Sequence, residues 1–164
     1  MPNNLIRPAR PVDIPAILRL IRGLADYERM LHEVTITESE LREALFGATP
    51  RITAVLAEAR GATIGLALFY YTFNTFKARP NIFLEDLFVE PQHRGNGVGL
   101  ALMRHLARLA VSQNCGRIEW RVLNWNQPAI DFYHRLGAKP IRNWHTLVLA
   151  GDALVSLAEG NPHG

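Results

Sequence analysis

The 164-residue sequence has one cysteine, only two lysines, and no long apolar run. A single cysteine, Cys115, excludes an internal disulfide framework and fits a reducing cytoplasm. No apolar stretch approaches the ~20 residues of a membrane-spanning helix, and the N-terminus lacks the charged and then apolar pattern of a secretory signal. We therefore expect a cytoplasmic protein with no membrane partner.

The sequence also lacks a strong excess of either positive or negative charge. The formal net charge is +3 and the charged residues are scattered, so the sequence pI of 9.4 reflects an excess of arginine over lysine. This distribution does not favour nucleic acid as a partner. With 48% hydrophobic residues the chain is globular, and its length suits one domain. We expect a single domain over residues 1–164, with a core from about 5 to 149 and a frayed tail at 159–164.

Several familiar catalytic patterns are missing. The six histidines form no H-x-x-x-H pair and have no cysteine pair nearby, so we expect no metal site. No G-x-S-x-G elbow is present, and Cys115 has no activating partner that the sequence reveals. A small buried residue is the simpler interpretation of that cysteine.

Hydrophobic periodicity predicts an antiparallel half followed by a parallel half. Residues 4–9 suggest an edge strand ended by Pro8, and Asp13 is a plausible N-cap for the helix that follows. Thr37 and Glu40 have the spacing of a capping box for a second helix. Residues 52–59 and 63–73 then predict a hairpin, and residues 81–90 a third strand.

The second half alternates between strand and helix. The pattern predicts helices at about 97–113 and 127–137, a strand at 117–123 and a final strand at about 143–150. This alternation favours parallel pairing, whereas the earlier hairpin favours antiparallel pairing. The fold class is therefore a mixed α/β sheet.

The stretch "EPQHRGNGVG" places three glycines behind Arg94, immediately before a helix. A helix N-terminus offers unpaired N–H groups and a positive dipole end, and glycines let an anion approach the backbone. A tight strand-to-helix turn without a ligand would explain the glycines equally well. The stretch lacks the Gly-Lys-Ser/Thr of a Walker loop, and its third glycine comes one residue too early for a dinucleotide fingerprint.

The spacing Gln92-x-x-Gly95-x-Gly97 after "FLEDLFV", followed by "IEWRV" and "NWNQPAIDFYHRLGA", resembles the GNAT N-acetyltransferase superfamily. The opening "IRPA…DI..ILRLIRGLADYE" and the "LED" of the third strand resemble its diamine branch, which acetylates polyamines and thialysine. The resemblance implies a GNAT fold with a splayed central strand pair and acetyl-CoA as co-substrate. It also implies a primary amine of a small molecule as acceptor, and a homodimer.

The resemblance further implies which residues bind the cofactor. The third strand would offer N–H groups, and the glycine turn would hold the pyrophosphate. The segment that opens the last predicted helix would supply an Asn that contacts the cofactor and a Tyr near its sulfur. These residues are Leu87, Phe88, Val89, Arg94, Gly95, Asn96, Gly97, Val98, Gly99, Leu100, Asn126, Gln127, Pro128, Ala129 and Tyr133.

Acetyl transfer to an amine requires a proton acceptor, because an alkylammonium has no lone pair, and a donor for the departing thiolate. The resemblance assigns these roles to Glu85, acting through water, and to Tyr133, in a direct attack without a covalent acetyl-enzyme. Taken alone, Glu85 would be a strand-end charge and Tyr133 a core aromatic. Glu85 and Asp86 are adjacent, so a regular strand would face them in opposite directions.

The expected amine-binding residues are Tyr27, Glu28, Glu85, Asp86, Glu119, Trp120 and Arg121. The sequence departs from the polyamine pattern, because Arg29 replaces an aromatic and "NTFKARP" replaces an acidic loop. Polyamines and lysine-like amino acids both stay open as acceptors. A peptide or protein N-acetyltransferase and a catalytically silent CoA-binding sensor are the alternative functions.

Overall fold

A computed structural model describes residues 5–160, and the chain divides into two compact units between Arg121 and Val122. Each unit is described by itself. The first contains β1 (Leu5–Pro8), α1 (Ile14–Tyr27), α2 (Glu38–Phe46), β2 (Thr53–Ala59), β3 (Ala62–Asn74), β4 (Arg79–Val89), α3 (Val98–Ser112) and β5 (Ile118–Trp120). The second contains α4 (Gln127–Arg135) and α5 (Gly151–Ala158).

The sheet has five strands in the order β1-β2-β3-β4-β5. The first four pair antiparallel and β5 joins β4 in parallel, so the expected mixed sheet is confirmed. The parallel pairing covers only Ile82 to Leu84 of β4, because β5 ends at Trp120. From there to Val89, β4 is paired only with β3 among the described residues.

The helices α1, α2 and α3 of the first unit pack on the two faces of this sheet. Side chains of α1 and α2 form a buried cluster with Leu66 and Leu68 of β3 and Phe88 of β4. On the other face, a Cβ added to Gly65 would lie 3.3 Å from Val98 of α3. Strand residues alternate between faces, so even-numbered residues of β3 from Leu66 to Tyr70 face α1. None of the helices within residues 5–160 has the length and apolar character needed to cross a membrane.

Local capping explains where the helices begin. The capping box is confirmed, because Glu40 N–H donates to Thr37 Oγ1 at 3.2 Å while Thr37 N–H donates to the Glu40 carboxylate at 2.8 Å. Asp13 is the N-cap residue of α1, as expected, but its carboxylate makes no cap bond to that helix. It instead accepts two hydrogen bonds from the Arg7 guanidinium, at 2.7 and 2.9 Å, because burial favours pairing with a charge.

The second unit differs from expectation after α4. Residues 138–150, which include the predicted final strand, form no strand in the described range, and α5 follows them. Three apolar residues of this segment, Trp144, Leu147 and Val148, are at least 79% exposed. A β pattern becomes a strand only when a neighbouring strand pairs with it, and no pairing is present here. The part of the expected tail after Gly160 lies outside the described residues.

The Arg7–Asp13 pair gives a test of stability. Asp13→Asn should lower the free energy of unfolding at pH 7 by about 2–4 kcal/mol, because it leaves a largely buried guanidinium with weaker partners. Hydrogen bonds from Arg7 hold the pKa of Asp13 below its ordinary value of 3.8, so this contribution is present above that value and is lost as pH falls through the lower folded pKa. Urea denaturation from pH 7 to pH 2.5 measures the difference.

Arg10→Ala is the matched control, because Arg10 is an exposed partner at 3.8 Å from the same carboxylate. It should change the free energy of unfolding by less than about 0.5 kcal/mol. A pH-independent loss in Asp13→Asn would contradict the ion-pair explanation.

Candidate functional site

A β-bulge interrupts β4 at Glu85. Leu68 pairs with Asp86 and Phe69 pairs with Leu84, so Glu85 has no partner on β3. Bulges redirect side chains and increase the local twist, and they are frequent beside active sites. The bulge lies one residue beyond the point where β5 stops pairing.

The bulge removes the premise of the expectation that Glu85 and Asp86 face opposite sides. That expectation requires regular alternation, which an extra residue removes. Asp86 shares the α1 face with its partner Leu68, and Phe83 shares that face with Tyr70, whose ring stacks on it at 5.2 Å. The charge of Glu85 acts on both Asp86 and Tyr70, so these groups belong to one electrostatic site.

Carboxylates crowd this face of the sheet. Burial, with the charges of Glu85 and Glu28, raises the pKa of Asp86 to about 6. Burial also raises the pKa of Glu28, which follows the last residue of α1. Like charges in a partly buried site disfavour ionisation unless a cation joins them. The arrangement is therefore suited to an ammonium group.

Beyond the bulge, the side of β4 opposite β3 pairs with no strand within residues 5–160. Glu90 N–H donates to the carbonyl of Ile64 on the β3 side, at 3.0 Å. Because backbone groups alternate along a strand, Phe88 also faces β3 while Leu87 and Val89 direct their N–H groups to the opposite edge. Of the three expected strand donors, alternation thus favours Leu87 and Val89.

The glycine turn lies just after this edge. Gly95 and Gly97 have φ values of 76° and 78°, and a Cβ at either would have no heavy atom within 4 Å. Their backbone conformation favours glycine, and the space in front of them is open. Gly97 begins α3, which has no side-chain cap, so the N–H groups that follow the turn receive no capping side chain.

Val98, Gly99 and Leu100 form the first turn of α3, and Asn96 is exposed beside them. Val98 is buried and fixes the start of the helix against the sheet. The expected turn residues from Gly95 to Leu100 are therefore contiguous at a helix N-terminus, which is a favourable site for a phosphate.

Arg94 connects the turn to α1. Its Nε donates to the Val89 carbonyl at 2.9 Å, and its guanidinium lies over the rings of Tyr27, at 4.8 Å, and Phe88, at 5.4 Å. Two residues expected in different subsites, Arg94 and Tyr27, are thus in contact. Sequence spacing carries no signal for this contact, since it depends on how α1 packs against β4.

The remaining expected residues of the first unit lie in β5 or directly after it. Glu119 pairs in register with Phe83, and Trp120 with Leu84. Glu119 thus shares the face of Phe83, where it accepts from Arg117 at 2.8 Å, while Trp120 lies on the α3 face. Arg121 lies over the Phe83 ring, at 5.4 Å. Tyr70 and Phe83 were missed from the sequence, because their pairing is fixed only by the bulge.

The second unit contains the other expected cofactor residues. Asn126 is buried and caps α4 by accepting from Ala129 N–H at 3.4 Å, which confirms its capping role. Pro128 lies in the first turn, and Gln127 donates to Asp131 at 2.6 Å. Tyr133 lies within α4 next to Phe132, with ring centroids 5.3 Å apart.

Among residues 5–160, His, Cys, Asp and Glu side chains form no group of three or more that could hold a metal ion.

The family model described as "Acetyltransferase (GNAT) family" matches residues 20–138. The chain belongs to the GNAT family. It is a GNAT-family N-acetyltransferase, and the matched range includes the bulge, the glycine turn and α4.

Two curated relatives cover nearly the whole GNAT chain. Thialysine N-epsilon-acetyltransferase of Bos taurus is 38% identical over 165 residues, which cover 94% of this chain and 96% of that protein. L-ornithine N5-acetyltransferase NATA1 of Arabidopsis thaliana is 29% identical over 201 residues, which cover 95% and 88%.

A solved structure agrees with the fold. The integron cassette protein from the mobile metagenome of V. cholerae aligns with a TM-score of 0.80 and 27% identity, over 97% of this chain and 99% of that one. The mixed sheet of this GNAT protein therefore has a close counterpart among known structures.

The raised pKa of Asp86 gives a test of the crowded carboxylates. Its folded pKa of about 6 exceeds its ordinary 3.8, so wild-type stability should fall as pH rises from 4 to 6 and stay reduced above 6. Asp86→Asn removes that penalty. It should raise the free energy of unfolding by about 1–3 kcal/mol at pH 8 and leave it nearly unchanged at pH 4, measured by urea denaturation.

Asp26→Asn is the control, because it removes one carboxylate from an exposed position of α1. It should show no comparable dependence on pH. Equal effects of Asp86→Asn at both pH values would contradict the assigned electrostatics.

Proposed function

We propose that this GNAT protein transfers an acetyl group from acetyl-CoA to a primary amine of a small molecule. The observation on which this rests is the open β4 edge, which continues into a glycine turn at the start of α3. One side of the edge offers amide donors, and the α1 face beside the bulge offers carboxylates. The acetyl donor and the amine acceptor would thus bind to adjacent surfaces, one with amide donors and one with carboxylates.

The chemistry of the turn fits a coenzyme A diphosphate. A Cβ atom at Gly95 or Gly97 would meet open space, and the first amides of α3 have no side-chain cap. The outward N–H groups of Leu87 and Val89 suit the amide and carbonyl groups of a pantetheine chain. Acetyl-CoA supplies a thioester whose carbonyl carbon accepts the amine.

The amine would bind on the sheet face that carries Tyr70 and Asp86. The carboxylates of this face suit the amine in its ammonium form. Glu85, at the bulge, is proposed to take the ammonium proton through water, because only the neutral amine has a lone pair for attack. Asp86 and Glu28 would hold the cation beside it. An N–H group of the open edge would donate to the thioester oxygen as negative charge develops there.

Tyr133 is proposed to return a proton to the departing thiolate. The support is the match of "AIDFYHRLG" to the family segment, together with its place within a helix capped by Asn126. The other family contacts, Gln127, Pro128 and Ala129, fall in the first turn of that helix. The amine would attack the thioester directly, without a covalent acetyl-enzyme intermediate.

We propose a lysine-like amino acid as acceptor ahead of a polyamine. Guanidinium groups stand on the amine face, where Arg94 covers Tyr27 and Arg121 covers Phe83. Cations at these positions disfavour a molecule whose second group is also a cation. The named activities of the thialysine and ornithine relatives agree with this order. A cytoplasmic homodimer is part of the same proposal.

An amine panel tests the proposed function. Purified protein and acetyl-CoA are incubated with L-lysine, L-ornithine, thialysine, putrescine, spermidine and a short peptide with a free N-terminus, and free thiol is measured. Release of thiol with small amines is expected. Turnover of the peptide alone would favour a peptide acetyltransferase, and tight acetyl-CoA binding without any product would favour a sensor.

Gly97→Ala tests the glycine turn. Gly97 has a φ of 78°. The Gly97→Ala variant should bind CoA at least about tenfold more weakly, because the added methyl group blocks the approach of the diphosphate to the amides. Isothermal titration with CoA measures the affinity.

Gly61→Ala is the matched control, since Gly61 has φ 79° and equally open surroundings in the turn between β2 and β3. Both variants should lose about 1 kcal/mol of stability from the strained backbone. Equal CoA affinity in the two variants would exclude the turn from cofactor binding.

Tyr133→Phe tests the proton donor. Turnover should fall by about 100-fold, because the thiolate leaves without protonation, while CoA affinity changes by less than about threefold. Steady-state kinetics and titration separate the two effects. Tyr71→Phe, which removes a hydroxyl from half-exposed Tyr71 of β3, should leave turnover intact. Unchanged turnover in Tyr133→Phe would remove Tyr133 from this role.

A further inference from the structure

The guanidinium of Arg121 stands without an ionic partner on the amine face. It lies over the Phe83 ring, at 5.4 Å, and within residues 5–160 no carboxylate pairs with it. The other arginines near the site are engaged: Arg117 pairs with Glu119, and Arg94 donates to the Val89 carbonyl. Arg121 thus differs from its neighbours in having its planar donors available.

The position of Arg121 is set by the short parallel pairing. Glu119 pairs with Phe83, so the residue two positions later projects from the same face of the sheet. The contact with Phe83 agrees with this direction. Because β5 ends at Trp120, Arg121 lies directly past the last residue paired with β4.

Opposite charges act on Tyr70 from two residues. The charge of Glu85 raises the pKa of Tyr70 and that of Arg121 lowers it, in addition to the larger effect of burial. Both charges are therefore close enough to the phenol for their fields to act on it. Phe83, stacked on Tyr70, lies beneath the guanidinium. The face thus offers an anion and a cation around one aromatic pair.

This pattern matches a molecule that carries an amine and a carboxylate. Arginine binds carboxylates in a bidentate manner, and a guanidinium held over an aromatic ring keeps its donors in one plane. A diamine of the same length would bring its second cation toward Arg121, where repulsion and desolvation oppose binding.

We propose that Arg121 binds the carboxylate of the acceptor and so selects amino acids over the corresponding diamines. This inference depends on the proposed function, because it assigns a specificity role within the amine site. Glu85, Asp86 and Glu28 would hold the ammonium group that reacts.

Substrate pairs that differ only in the carboxylate test the role. L-lysine is compared with cadaverine, and L-ornithine with putrescine, by kcat/KM from thiol release at fixed acetyl-CoA. Wild type should prefer the amino acid in each pair. Arg121→Gln should lower that preference by about 10–100-fold, mainly through a higher KM for the amino acid. Arg121→Lys, which keeps the charge, should retain part of the preference.

Arg60→Gln is the matched control, because Arg60 is an exposed arginine in the turn between β2 and β3, outside the amine face. It should leave the preference unchanged. An unchanged preference in Arg121→Gln, or a wild type that favours the diamines, would overturn the inference while the acetyltransferase assignment stands. Absence of turnover with all four amines would instead reject the proposed function, and the inference with it.

Discussion

The bulge at Glu85 is the constraint on which the rest of the site depends. One extra residue in β4 changes which side chains face α1, and it lies next to the last residue pair between β4 and β5. The carboxylates of Glu85 and Asp86 are consequently part of one electrostatic site, although they are neighbours in a strand. A regular strand of the same sequence would have divided them between two faces.

The same local geometry leaves backbone donors on the other side. Beyond the last residue paired with β5, Leu87 and Val89 direct their N–H groups away from β3, and the chain then passes through Gly95 and Gly97 into α3. A run of amides is thus presented by a strand edge and a helix start that the core holds in place through Phe88 and Val98. Arg94 joins this run to Tyr27 of α1, so the proposed cofactor and amine surfaces share one residue.

Much of the fold follows from sequence pattern because the decisive signals are local. The Thr37–Glu40 capping box, the strand-to-helix turn and the Asn126 cap are each specified within a few residues, and the structure has all three. The failures concern long-range contacts. The Asp13 side chain pairs with Arg7 rather than with the first amides of α1, and residues 143–150 have strand-forming composition but pair with no strand among the described residues. The bulge also could not be predicted, because strand register depends on the partner strand. The pairing of Tyr70 with Phe83 depends on that register and was therefore missed.

The central claim is that the outward amides of β4 and the amides of the glycine turn bind coenzyme A. Amide chemical shifts of ¹⁵N-labelled protein, recorded while CoA is added, test it most directly because they report each N–H separately. The account predicts that the largest shifts occur at Leu87, Val89 and residues 95–99, with Phe88 less affected. Saturable binding that leaves these amides unshifted, with the changes confined to other surfaces, would contradict it.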